Sequence, residues 1–230
     1  MNSGLDFSGL IPALAYLFGE GMVLTLAITA IAGVVGLVLG IGLAVMRISP
    51  YRVLSVPAGL YVNLMRSVPL LLVIFWFYFL VPYIGAWIIG SPRPVLIGAF
   101  RSAVITFTLF EAAYFCEIIR SGVQSMRRGQ ISAGLALGLS YRQTLARVIL
   151  PQAIRNMTPS LFTRVIVLFQ DTSLLYVLSL TDFLGAATKI GQRDGRLTEM
   201  YLFVAAVYFV ICFVASRAVK RIEKRVKVGR

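Results

Sequence analysis

Six ionisable side chains lie in two otherwise apolar runs of this 230-residue chain, and their types restrict what they can do. Arg101, Glu111, Glu117 and Arg120 fall in one run. Arg164 and Asp171 fall in another, seven positions apart and so on one face of a helix, with Thr172 and Ser173 directly after. Charge inside a membrane is costly and is kept where protein or water receives it. An arginine fork matches a carboxylate at two points. Arg101 and Arg164 are therefore candidates for a guest carboxylate, and equally for pairing with Glu111 and Asp171 inside a bundle. Asp171, Thr172 and Ser173 offer hydrogen bonds to a zwitterion, or satisfy backbone on neighbouring helices. Glu117 and Arg120 pair along one helix, either as a latch at the inner mouth or as a substrate contact.

Covalent chemistry is poorly supplied. The chain has no histidine, which excludes imidazole catalysis. It has no Gly-x-x-x-x-Gly-Lys-Ser/Thr loop with which to cradle ATP. Cys116 and Cys212 lie within apolar runs, away from metal-ligand spacing, and read as buried free thiols.

The elements that must position these side chains are membrane helices. A chain that is 59% apolar and 13% charged has too little polar surface for a soluble domain, so the fold is expected to be all-α and integral to a membrane. Five apolar runs cover about Met22–Met46, Leu54–Val81, Val95–Ile119, Met157–Leu180 and Glu199–Ala215. The first is free of charge from Gly21 to Met46, about 39 Å of helix against a hydrocarbon core of roughly 30 Å. Its Gly33, Gly36, Gly40 and Gly42 either admit a neighbouring helix or are merely tolerated. Arg66 interrupts the second run, ahead of Ser67-Val68-Pro69. Thr198 is the expected cap of the fifth. Ser8 is expected to cap a brief helix over Gly9–Leu17, lying on the membrane surface. No strand alternation and no internal repeat is visible.

Five crossings put the termini on opposite sides. Arg47 and Arg52, the group Arg120, Arg127, Arg128, Arg142, Arg147 and Arg155, and the tail of Arg217, Lys220, Arg221, Lys224, Arg225, Lys227 and Arg230 share one side. Arg93, Lys189, Arg193 and Arg196 share the other, so the balance is fifteen against four. The positive side is cytoplasmic, which places the N-terminus outside. With a net charge of +13, the basic tail reads as an anchor at an anionic lipid surface rather than a nucleic-acid contact.

One long segment in the interior, Arg128–Pro151, is not apolar enough to be a span. A helix is expected over Ile131–Leu137, with Gly138 in the left-handed position past its end. Ser140 and Gln143 have capping-box spacing for a second helix, and Pro151 limits that helix or starts the next element. This is an elbow between two spans, able to take a push from a partner or to serve only as an amphipathic loop.

The elbow resembles the EAA loop of ABC-transporter permeases. Ser132-Ala133-Gly134, Gly138 and Val148-Ile149-Leu150-Pro151 stand at that spacing, with Ser132 where Glu is usual, Gly134 where Ala is usual and Val148 where Ile is usual. Arg66-Ser67-Val68-Pro69-Leu70-Leu71 is similar to the family's Arg-Gly-Thr-Pro-Leu-Leu, and Asp171-Thr172-Ser173-Leu174 to its Lys-Asp-Thr-Ser-Leu. Ala113, Glu117, Arg120 and Gly122 match a further frequent run. Glu111-Ala112-Ala113-Tyr114, Phe169–Leu174 and Ile190–Gly195 look like the permeases of bacterial glutamate/aspartate importers.

The resemblance implies a type I ABC importer permease with five transmembrane helices, N-terminus periplasmic and C-terminus cytoplasmic. Residues 1–20 would be a periplasmic segment, 21–217 the permease domain with a coupling loop at 121–155, and 218–230 a cytoplasmic tail. It implies a second permease, homologous or identical, two ATPase subunits that bind the ATP and magnesium, and a periplasmic substrate-binding protein. No catalytic residue, cofactor or metal is expected in this chain. Ser132, Ala133, Gly134, Gly138, Leu139, Ser140, Tyr141, Leu150 and Pro151 would couple to the ATPase. Arg101, Glu111, Arg164, Asp171, Thr172 and Ser173 would border the substrate path, and Arg66, Pro69, Glu117 and Arg120 would be structural or gating. The alternatives are another polar amino acid as substrate, or a self-sufficient secondary carrier or channel.

Overall fold

A computed structural model describes residues 5–126 and 128–227, apart from the side chains of residues 128, 141, 142, 226 and 227. Among the described residues all regular structure is helical. Five helices are long and apolar enough to cross a membrane: Leu10–Ile48, Leu70–Ile88, Ala99–Gln124, Leu145–Leu178 and Leu197–Arg225, spans 1 to 5 below.

Span 1 absorbs the segment expected to lie on the membrane surface. Leu10–Tyr16 continues through a π-helical turn, Leu17–Met22, into Val23–Ile48. Packing explains the difference: Ala13, Leu17 and Met22 are buried in one apolar cluster with Phe183, Ala186 and Ile190 of the helix Phe183–Asp194. Ser8 does not cap the first turn; its hydroxyl accepts a hydrogen bond from Arg196 at 2.8 Å.

The second apolar run is two helices rather than one. Arg52–Ser67 ends where Val68 turns extended (φ −114°, ψ 136°) and Pro69 follows (ψ 136°), and span 2 then begins at Leu70. The clash of a proline ring with the residue before it disfavours helical geometry there, and a β-branched valine already leans towards extended backbone. Span 3 starts at Ala99, later than Val95, because Gly98 sits at φ +78°. The fifth helix starts at Leu197, which puts Thr198 inside its first turn instead of at the cap, and it runs past Ala215 to Lys227.

Spans 1 and 3 form the central pair. A Cβ at Gly36 would lie 3.0 Å from the Glu111 Cβ, and one at Gly40 would lie 2.7 Å from the Phe115 Cβ. The Gly-x-x-x-Gly pair is therefore a close helix contact. Gly42 faces open space. Ile28, Val73, Phe107, Leu168 and Leu175 join spans 1 to 4 in one core, and Ala44, Val62, Ala113 and Cys116 form another towards the Arg47 end. Both cysteines are buried and free.

The elbow is a short helix, Arg128–Ala136, followed by a tight reversal. Gly138 has φ +81°, the Gly138 amide donates to the Leu135 carbonyl, and the Leu139 amide donates to Gly134 at 3.1 Å. These are the two bonds of a Schellman motif. The expected capping box is present: the Ser140 amide donates to Gln143 Oε1 at 2.8 Å, and the Gln143 amide to Ser140 Oγ at 3.3 Å. Helix then resumes at Tyr141 and passes through a π-helical turn, Leu145–Ile149, into Leu150–Asp171. Pro151 lies where the π-helical turn passes into this last helix, and the wider turn accommodates a residue without an amide donor.

Candidate translocation cavity and coupling elbow

Span 2 begins where the chain unwinds, and the unwound residues border a cavity. Ser67, Val68 and Pro69 line a space of about 420 Å³ together with Arg66, Phe110, Tyr114, Arg164 and Asp171. Irregular backbone at membrane depth is tolerated where it lines a polar cavity or is covered by protein.

The cavity wall holds a layered ion cluster. Glu111 is fully buried in span 3 and accepts from Arg164 Nε at 2.8 Å and Nη2 at 2.5 Å. The same Nη2 reaches Asp171, one helical face along span 4, at 3.5 Å. The Arg164 guanidinium also lies 3.9 Å from the centre of the Tyr114 ring, close enough for a cation–π contact. Thr172 is buried and donates back to the Phe169 carbonyl at 2.7 Å, which satisfies its own helix end. Ser173 is half-buried beside it. Arg101 is exposed near the start of span 3 and is not among the residues lining the cavity. The structure thus brings Arg164, Glu111 and Asp171 together and leaves Arg101 apart.

A second cluster closes the Arg47 end. Glu117 accepts from Arg120 of its own helix at 2.5 and 3.0 Å and from Arg47 of span 1 at 2.6 Å, and Arg66 stands 3.6 Å away. Arg47 also donates to Asn63 on the short helix before Pro69, at 2.9 Å. One carboxylate therefore joins three elements.

At the elbow, a Cβ on Gly134 would meet the Thr144 side chain at 2.5 Å, so a glycine is needed where the family usually has alanine. Ser132, Ala133, Gly138 and Ser140 are exposed, and Leu139 is half-buried. Leu150 and Pro151 are exposed on the outgoing helix. The Tyr141 and Arg142 side chains, and Arg127, lie outside the described residues.

Sequence reasoning gave no role to three of the residues that matter here. Arg47 counts in the charge balance, but nothing local links it to a glutamate seventy positions on. Tyr114, with both Arg66 and Arg164 at its ring, reads as one more apolar-run aromatic. Leu137 at the elbow tip is 83% exposed, and its flank of glycines was the available signal.

Residues 36–228 match the family described as the binding-protein-dependent transport system inner membrane component. The chain belongs to that family. It is 49% identical to the glutamate/aspartate import permease protein GltK of Escherichia coli O6:H1, over 96% of this chain and 97% of that protein. It is 30% identical to the arginine transport system permease protein ArtQ of Bacillus subtilis strain 168, over 97% and 98%. Its fold superposes on a crystal structure of an amino acid ABC transporter with histidines, with a TM-score of 0.85 and 30% identity, over 96% and 99% of the two chains. This ABC importer permease is a multi-pass inner-membrane transport subunit, and ATP is bound by its ATPase partner.

Proposed function

We propose that this permease passes glutamate and aspartate from the periplasm to the cytoplasm, by alternating access driven from outside its own chain. The observation that carries the reading is near full-length similarity to a glutamate/aspartate import permease. The ion-lined cavity is the second support, because a carboxylate-bearing guest needs charged partners at membrane depth. In this reading the architecture is that of a type I importer, with the N-terminus periplasmic and the basic C-terminal helix cytoplasmic. The residues ahead of Leu10 lie on the periplasmic side, the permease domain runs from span 1 to residue 217, and 218–230 form the tail.

Two ATPase subunits dock on the loop 121–155, against the exposed surface around Ser132, Ala133, Gly138, Leu139 and Ser140. A periplasmic binding protein delivers the amino acid. A second permease, related or identical, covers the face on which the cavity opens, because Asp171 and Arg66 are too costly to leave in hydrocarbon. Closure of the ATPases moves the elbow, and spans 3 and 4 repack between two discrete states. Glu111 and Arg164 border the path, with Asp171, Thr172 and Ser173 beside it, and Arg66, Pro69, Glu117 and Arg120 serve the inner gate.

The test is to purify the chain with its co-expressed partners in lipid and measure ATP hydrolysis with each amino acid. Stimulation by glutamate and aspartate above all others is expected. Uptake by this chain alone, driven by an ion gradient, would overturn the reading.

A further inference from the structure

The three arginines around Glu117 are not equivalent. Arg47 and Arg120 approach it to 2.6 and 2.5 Å, whereas Arg66 stands off at 3.6 Å with 37% of its side chain exposed. Arg66 also lines the cavity, with its guanidinium 5.6 Å from the centre of the Tyr114 ring. Arg164, also at that ring, has no comparable freedom. Its Nε and Nη2 are committed to Glu111, its face is against Tyr114, and it is 12% exposed. Of the two arginines that line the cavity, Arg66 is the one with a fork to offer.

Charge balance orients a guest in the same way. Around Arg164 one cation meets two carboxylates, Glu111 and Asp171. Around Glu117 three cations meet one carboxylate. The Asp171 side of the cavity is therefore net negative, and the Arg66 side backs onto a net positive cluster.

Resting on the proposed function, we propose that Arg66 receives the side-chain carboxylate of an acidic amino acid, while Asp171 receives its ammonium group. Asp171 is 27% exposed and has a single 3.5 Å ion pair, so it can turn to a cation in the cavity. Its end repels a second carboxylate and directs it towards Arg66. A neutral guest of the same length, such as glutamine, offers Arg66 one amide oxygen and no charge, and keeps the Asp171 contact. Arg66 is thus the residue that separates acidic from neutral amino acids inside the membrane.

The experiment measures equilibrium binding of labelled glutamate and glutamine to the purified permease–ATPase complex without binding protein. ATP-driven uptake by the complete reconstituted system is measured alongside. For Arg66→Gln, glutamate affinity is expected to fall by ~10- to 100-fold, the span of one charge-assisted pair, with glutamine held within about threefold. Asp171→Asn weakens both guests alike, and Arg101→Gln weakens neither. Equal loss of both guests in a stably folded Arg66→Gln complex, or no loss of glutamate, overturns the proposal. If Arg66→Gln does not assemble, Arg66→Lys carries the test. It keeps the charge and loses the fork, so the glutamate-to-glutamine affinity ratio falls at least about threefold; an unchanged ratio overturns the assignment. A wild-type complex that imports glutamate with ATP but binds none unaided also overturns it and leaves the proposed function standing. A complex with no ATP-driven amino-acid uptake overturns both.

Discussion

Arg164 reaches across from span 4 and holds Glu111 of span 3 through two hydrogen bonds, at 2.8 and 2.5 Å. Glu111 is fully buried and Arg164 only 12% exposed, so a charge left unpaired on either side is poorly solvated. Breaking such a pair costs about 3–5 kcal/mol, whereas removing both partners costs much less. Glu111→Gln should therefore lower the thermal stability of the detergent-purified protein steeply. Adding Arg164→Gln should recover more than half of the loss. Additive losses in that cycle would mean the two residues do not act as a pair.

Gly40 and Gly42 of span 1 stand in opposite surroundings. Gly40→Ala puts a methyl group 2.7 Å from the Phe115 Cβ and should cost about 1–3 kcal/mol by forcing spans 1 and 3 apart. Gly42→Ala meets nothing and should be neutral or slightly stabilising in a helix. Chemical denaturation of the two variants side by side checks this, and equal effects would remove the close contact as the reason for Gly40.

The elbow depends on a backbone that only glycine adopts cheaply. Gly138→Val at φ +81° should strain the reversal by about 1–2 kcal/mol and misplace the Ser140–Gln143 box. The expected outcome is a complex that hydrolyses ATP while importing less amino acid per ATP. Gly134→Ala should act the same way more mildly, through its contact with Thr144. Unchanged stoichiometry of ATP to amino acid in Gly138→Val would count against the elbow as the mechanical link.

Asp182 predicts a pH dependence. It lies between spans 4 and 5, caps the helix Phe183–Asp194 by accepting from Leu184 and Gly185, and is fully buried. Burial pushes its carboxyl up to about 7, against the opposing pull of those backbone amides and of Lys189. A raised value means the fold prefers the protonated acid. Its contribution is complete below about 3.8 and is lost as pH rises through about 7. Asp182→Asn keeps an N-cap acceptor without the charge, so its melting temperature should vary less between pH 4 and 8 and exceed wild type at pH 8. A parallel pair of pH profiles would rule this out.

How much was legible in the sequence depended on whether the cause was local. The Schellman turn at Gly138 and the Ser140–Gln143 box were legible because each is fixed within six residues. The number of crossings followed from hydropathy. The separation at Val68-Pro69 was signalled by Arg66 and the proline, yet the continuous apolar pattern on both sides concealed it. What was not legible is tertiary. Leu10–Met22 joins span 1 because of Phe183 and Ile190, far along the chain. The residue types allowed either Arg101 or Arg164 to face an acid. Only packing decides that Arg164 takes both Glu111 and Asp171 while Arg101 stays exposed.

Glu117 keeps three guanidinium groups from span 1, the short helix and span 3 within one small volume. Two such cations 5 Å apart repel by about 3 kcal/mol at an effective dielectric constant of 20. Take the carboxylate away and all three pairwise repulsions act at once on the three segments that carry them. A single acid therefore works as a keystone: its loss would push the Arg47 end of the bundle apart, against the apolar cluster of Ala44, Val62, Ala113 and Cys116.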